Sequence, residues 1–142
     1  MLARRELSEA QVRQRLEKKA FEPDDIDTAI ARLKRERALD DRRTALACAR
    51  TEVVIKHRGR LRVLRSIEAL GIAKTTARAA VAEVFADIDE STMIGQALDR
   101  RLRHGASLDE PAVARRVYRY LLAQGFNPEQ VSAVVRARKR NG

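Results

Sequence analysis

The side chains of this chain that could do chemistry are mostly cations, and they are bunched. Lys56, Arg58, Arg60, Arg62 and Arg65 fall within ten residues that contain no acid, around a glycine turn between two predicted helices. Arg100, Arg101 and Arg103 form a second cluster, Arg115, Arg116 and Arg119 a third, and Arg136, Arg138, Lys139 and Arg140 a basic tail. Charge at this density attracts polyanions, and contacts made to phosphates weaken steeply with salt. Arginine outnumbers lysine heavily, and its planar fork pairs with carboxylates as readily as with phosphates. The clusters therefore fit an acidic protein surface as well as nucleic acid, single- or double-stranded.

Catalytic equipment is sparse. There is no Gly-rich phosphate loop. His57 and His104 lie far apart in basic segments and read as exposed turn residues, with no acid placed to activate them. Cys48 sits among alanines and reads as a small buried hydrophobe; a single cysteine makes neither an internal disulfide nor a multi-thiolate zinc site. The pairs Asp24-Asp25 and Asp40-Asp41 stand at predicted helix starts, where carboxylates satisfy orphan amides. Tyr118 and Tyr120 are the only aromatics near a basic helix, too few for a base-stacking platform, while Phe21, Phe85 and Phe126 read as core. No catalytic residue, metal site or cofactor is expected, and the chain does not read as an enzyme.

The elements that must position the cations come from a repeat. Val12, Leu16, Phe21, Ile26 and Ile30 match Val63, Ile67, Ile72, Ala77 and Val81 at a shift of 51 residues. A further shift of 54 gives Val117, Leu121, Phe126, Val131 and Val135. Within each copy the spacing predicts helix, short turn, helix. Ser8 and Gln11 make a capping box, Pro23 and Pro128 suit first helical positions, and Gly71 and Gly125 suit left-handed helix stops; Ala20 stands at the first such stop. Asp40-Asp41 and Asp89-Glu90-Ser91 each open an earlier helix that the first copy has only as a remnant. The expected fold is all-α: eight main helices in three tandem three-helix modules, at 1–39 (truncated), 40–86 and 87–142, with 85–91 as the expected flexible joint. Their net charges are +2, +5 and +3.

Composition agrees. Of the 44% apolar residues, 23 are alanine, so the core is thin and an elongated assembly suits the chain better than one deep globule. Alanine, leucine, arginine and glutamate are helix formers. No apolar run approaches the roughly 20 residues of a membrane span, and the Met1-Leu2-Ala3-Arg4-Arg5 start lacks a signal peptide's apolar stretch, so a cytoplasmic location is expected.

Several segments resemble the bacterial RecX family in order along nearly the whole chain. They are Leu2-Ala3-Arg4-Arg5-Glu6-Leu7-Ser8, Lys18-Lys19-Ala20-Phe21, Ala38-Leu39-Asp40-Asp41-Arg42-Arg43, the run from Gly59-Arg60 to Leu70-Gly71-Ile72, and Arg119-Tyr120-Leu121-Leu122-Ala123-Gln124-Gly125-Phe126. Thr44 departs from the phenylalanine that the family usually has after its Asp-Asp-Arg segment, and Ala20 from its glycine. The resemblance implies a curved, elongated body of three-helix modules. It also implies a protein that binds the RecA filament on DNA, lies in its groove, and damps ATPase, strand exchange and SOS repressor cleavage; a monomer is expected. The residues alone leave two other readings open, a direct DNA-binding helical module and a general helical interaction scaffold.

Overall fold

The computed structural model describes residues 6–103 and 105–141, and every regular element among them is an α-helix. The helices are α1 (Glu9–Lys18), α2 (Pro23–Arg35), α3 (Asp41–Val54), α4 (Arg60–Ala69), α5 (Lys74–Phe85), α6 (Glu90–Arg101), α7 (Pro111–Ala123) and α8 (Pro128–Asn141). The N-terminal remnant, up to residue 5, and His104 lie outside the described residues.

Local chemistry sets the helix starts. Ser8 Oγ accepts from the Gln11 amide (3.1 Å) while the Ser8 amide donates to Gln11 Oε1 (2.9 Å), the reciprocal box expected before α1. Asp40 and Asp89 cap α3 and α6 through their side chains, and Asn127 Oδ1 accepts from the first-turn amides of α8. Glu22 and Glu110 precede Pro23 and Pro111 without a side-chain cap bond. Gly71 (φ 83°) and Gly125 (φ 100°) take the left-handed conformation after α4 and α7, and Ala20 takes it after α1 at φ 63°.

Three separate apolar clusters result. The middle one packs alanines of α3 against alanines of α5, Ala45 and Ala49 with Ala77 and Ala80, beside Val63, Ile67 and Phe85. The third gathers Ile94, Leu98, Val117, Leu121, Phe126 and Val131. The first holds only Ile26, Ile30 and Leu39, with Val12, Leu16 and Leu33 half-buried against them. Phe21, expected in the core, is instead 52% exposed, although Ile72 and Phe126 at the matched positions are buried. The reason is architectural: among the described residues the first cluster has only α1 and α2, and no third helix closes over that position. The accessible surface is 9712 Å², against ~7,400 Å² for a compact protein of this mass, as an elongated chain of small cores requires.

Neighbouring modules are joined by one device used twice. Ser8, the N-cap of α1, donates its hydroxyl to the Leu70 carbonyl at the end of α4, beside Gly71. Gly59, the N-cap of α4, donates its amide to the Gln124 carbonyl at the end of α7 (2.8 Å), and the Leu61 amide donates to the Gly125 carbonyl (3.0 Å). The acid opening the next module's first helix completes each joint: Asp41 accepts from the Glu9 amide (2.8 Å), and Glu90 pairs with Arg60 (3.3 Å). The backbones approach too closely for side chains. A Cβ on Gly71 would lie 2.5 Å from the Ala10 Cβ, one on Gly59 would lie 2.6 Å from the Phe126 nitrogen, and one on Gly125 would strike the Arg62 backbone. The segment from 85 to 91 is thereby held at both ends, by buried Phe85 and by Glu90.

Gly125→Ala should therefore lower stability by about 2–4 kcal/mol, combining left-handed strain with a backbone clash. Gly105→Ala, at φ 81° with nothing near its Cβ, should cost only about 1 kcal/mol. Thermal unfolding of the two variants checks the difference; equal losses would mean that strain alone acts at Gly125.

Candidate partner-binding surface

The five cations of the middle cluster do not share one role. Arg58 Nη1 donates to both carboxylate oxygens of Glu52 at 2.8 Å, and the two side chains are only 22% and 4% exposed. Lys56 adds a second, outer pair to Glu52 at 3.4 Å. Glu52, one turn before the acid-free run, is thus the buried anion that folds the 55–59 turn back onto α3; the Arg58 amide also donates to the Glu52 carbonyl (3.0 Å). That turn carries exposed His57 at φ 56° and delivers Gly59 to its joint. Burial pushes the Glu52 carboxyl up, but hydrogen bonds from Ser66 and Arg58 and the charges of Arg58 and Lys56 outweigh it and hold the group below the usual carboxylate range.

Arg62 is also occupied inside, donating to the Ala123 carbonyl and to Gln124 Oε1, both at 3.1 Å, across the joint. Arg60 lies over the Phe85 ring, 5.0 Å from its centroid, while holding Glu90. Arg65 is the member that stands exposed on α4 with no acid paired to it among the described residues. Around the same turn Val54, Ile55 and Leu61 are large apolar side chains left exposed.

In the second cluster Arg101 stacks on Tyr120, 3.9 Å from the ring centroid, so this tyrosine's face is covered by an arginine. Arg100 and Arg101 complete the last turn of α6, where cations suit the helix dipole, and Arg103 is exposed just beyond. The third cluster, Arg115, Arg116 and Arg119, projects from α7 with all three exposed. The expected basic tail is the closing turns of α8: Arg138 pairs with Asp99, whereas Arg136 and Lys139 face α7. Together Arg115, Arg119, Arg136 and Lys139 rim a groove of about 420 Å³ floored by Ala114, Tyr118, Ser132 and Val135. Arg136 and Lys139 belong with the third cluster because the α7–α8 hairpin folds them onto it, a pairing that sequence order conceals.

Cys48 is half-buried against the middle core and Thr44, buried at the start of α3, donates to the Leu7 carbonyl (3.3 Å). No cluster of three potential metal-ligating side chains occurs among the described residues, and none of their helices is long and apolar enough to cross a membrane.

Residues 1–33 match the family model described as the first three-helix domain of RecX. The chain is 24% identical over 136 residues to the regulatory protein RecX of Pelodictyon phaeoclathratiforme, covering 96% of this chain and 82% of that protein. It is 32% identical over 136 residues to the namesake from Geobacillus kaustophilus, covering 94% of this chain but 49% of the relative, so it spans about half of that longer protein. To the one from Syntrophotalea carbinolica it is 27% identical over 127 residues, covering 89% and 83%.

The Glu52 staple makes a pH prediction. Its folded pKa lies below the unfolded value, so its stabilisation is present above about pH 4.3 and is lost as pH falls through the folded pKa. Glu52→Gln should cost about 2 kcal/mol at pH 7 and flatten this acid-side loss in unfolding curves taken from neutral to acid pH. An unchanged acid slope would remove Glu52 as its source.

Proposed function

We propose that this chain, similar to RecX over its first 33 residues and to curated RecX regulatory proteins over most of its length, is a member of that family and regulates the RecA recombinase, chiefly as an inhibitor. In this reading the chain is a cytoplasmic monomer, and its modules, at 1–39, 40–86 and 87–142, lie along the groove of the RecA–DNA filament. It damps ATPase, strand exchange and SOS repressor cleavage and catalyses nothing itself.

The observation that carries the reading is the division of the arginines. Arg58 and Arg62 hold the fold, while Arg65, Arg103, Arg115, Arg116 and Arg119 remain exposed without an acid partner among the described residues. Their contacts would run across neighbouring recombinase subunits, favouring one subunit arrangement and lowering turnover by population shift. Joints made of hydrogen bonds to backbone groups transmit that restraint, because modules fixed to one another cannot follow independent subunit movements. Direct DNA binding is the second reading, and the same exposed cations support it. It has less structural support, since Tyr120 lies under Arg101 and few aromatics are open to bases.

The test is single-strand-dependent ATPase of the cognate recombinase with substoichiometric protein. Severalfold damping is expected, and charge reversal at Arg115, Arg116 and Arg119 together should weaken it by about tenfold or more with helicity unchanged. No effect of the unaltered protein at saturation would overturn the proposal, and tight sequence-selective duplex binding without recombinase would favour the second reading.

A further inference from the structure

The repeat supplies an internal control for the groove between α7 and α8. In the first module the corresponding helices, α1 and α2, are bridged by ion pairs: Arg13 with Asp27 (2.8 Å) and Lys34 with Glu9 (3.3 Å). The repeat register carries Glu9, Arg13, Asp27 and Lys34 onto Ala114, Tyr118, Ser132 and Lys139. Both acids are gone and one lysine is kept. Arg115, Arg119 and Arg136 stand beside it, and among the described residues none of the four cations pairs with an acid. The third module has thus kept the helix pair and removed the anions that quench its counterpart.

The groove's floor decides between ligands. Ala114, the Tyr118 ring and Val135 make it apolar, and a volume of about 420 Å³ takes a few aliphatic side chains. A phosphodiester strand offers charge but no aliphatic groups, and one tyrosine is no stacking platform. An amphipathic acidic segment offers both, with apolar anchors at helical spacing for the floor and carboxylates for the rim.

We propose that the α7–α8 groove of the third module is a docking site for an acidic, amphipathic segment of a partner protein, held by Arg115, Arg119, Arg136 and Lys139 over the Ala114–Ser132 floor. The proposal rests on the reading that the partner is a protein filament, and it names the chemistry by which this surface recognises it. Net charge and apolar contact act together, so binding weakens with salt less than a purely phosphate contact does.

The probe is a fluorescein-labelled helical peptide with leucines at i, i+3, i+4 and i+7 and glutamates elsewhere. It is compared with a peptide of the same composition whose leucines are scattered, and with oligo(dT), against the full chain. The amphipathic peptide should bind tightest. Ala114→Glu with Ser132→Asp, which rebuilds the first module's pairing, should weaken it by about tenfold or more without loss of helicity. Ser132→Leu, which fills the floor and leaves every cation, should also weaken it. Equal binding by both peptides, unchanged affinity in both variants, or tighter oligo(dT) binding lost in the same variants would overturn the proposal, the last by assigning the groove to nucleic acid. In the recombinase ATPase assay, variants that damp as well as the unaltered chain would count against the groove alone. An unaltered chain that binds the peptide but does not damp would count against the regulatory reading alone.

Discussion

A capped helix start of one module, hydrogen-bonded to the helix stop of the next, is the contact on which the arrangement of the whole chain depends. Each module is too small to bury much: the first cluster has three buried apolar side chains and the middle one is rich in alanine. Stability in such arrays comes from nearest-neighbour interfaces as much as from the units themselves. Here both joints engage backbone groups at close range, through the Ser8 and Asp41 side chains at the first and through amides and carbonyls at the second, which explains the glycines. At Gly59, Gly71 and Gly125 a side chain would occupy the space in which the neighbouring module sits.

That constraint sorts the charges. A joint built from amides and carbonyls needs its flanking turn held in place, and the buried Glu52 does this through Arg58 while Arg62 reaches across to the next module. The net charge of +10 is therefore not all available for attraction. Of the clustered cations, those that stay outward are Arg65 on α4 and several on the α6–α8 trio, and the α7–α8 groove concentrates four cations over an apolar floor.

Much of this was legible in the sequence because it is local. The Ser8–Gln11 box, the Asp40 and Asp89 caps and the glycine stops depend on residues within a few positions of one another, and the repeat register follows from apolar spacing. The features that escaped depend on which elements meet. Phe21 matches buried residues in the other copies, yet among the described residues only α1 and α2 are there to cover it. Glu52 reads as an ordinary helix acid until the following turn folds Arg58 back over it. Lys139 reads as part of a tail until α8 packs along α7.

A reconstruction by electron cryomicroscopy of the cognate recombinase filament on single-stranded DNA, saturated with this protein, tests the central claim most directly. The account predicts three helical modules lying along the filament groove as one body, their joints intact, with the exposed arginines of α4 and α7 and the α7–α8 groove against acidic protein surface. Density confined to bare DNA, or modules bound separately with the Gly59–Gln124 contact broken, would contradict it.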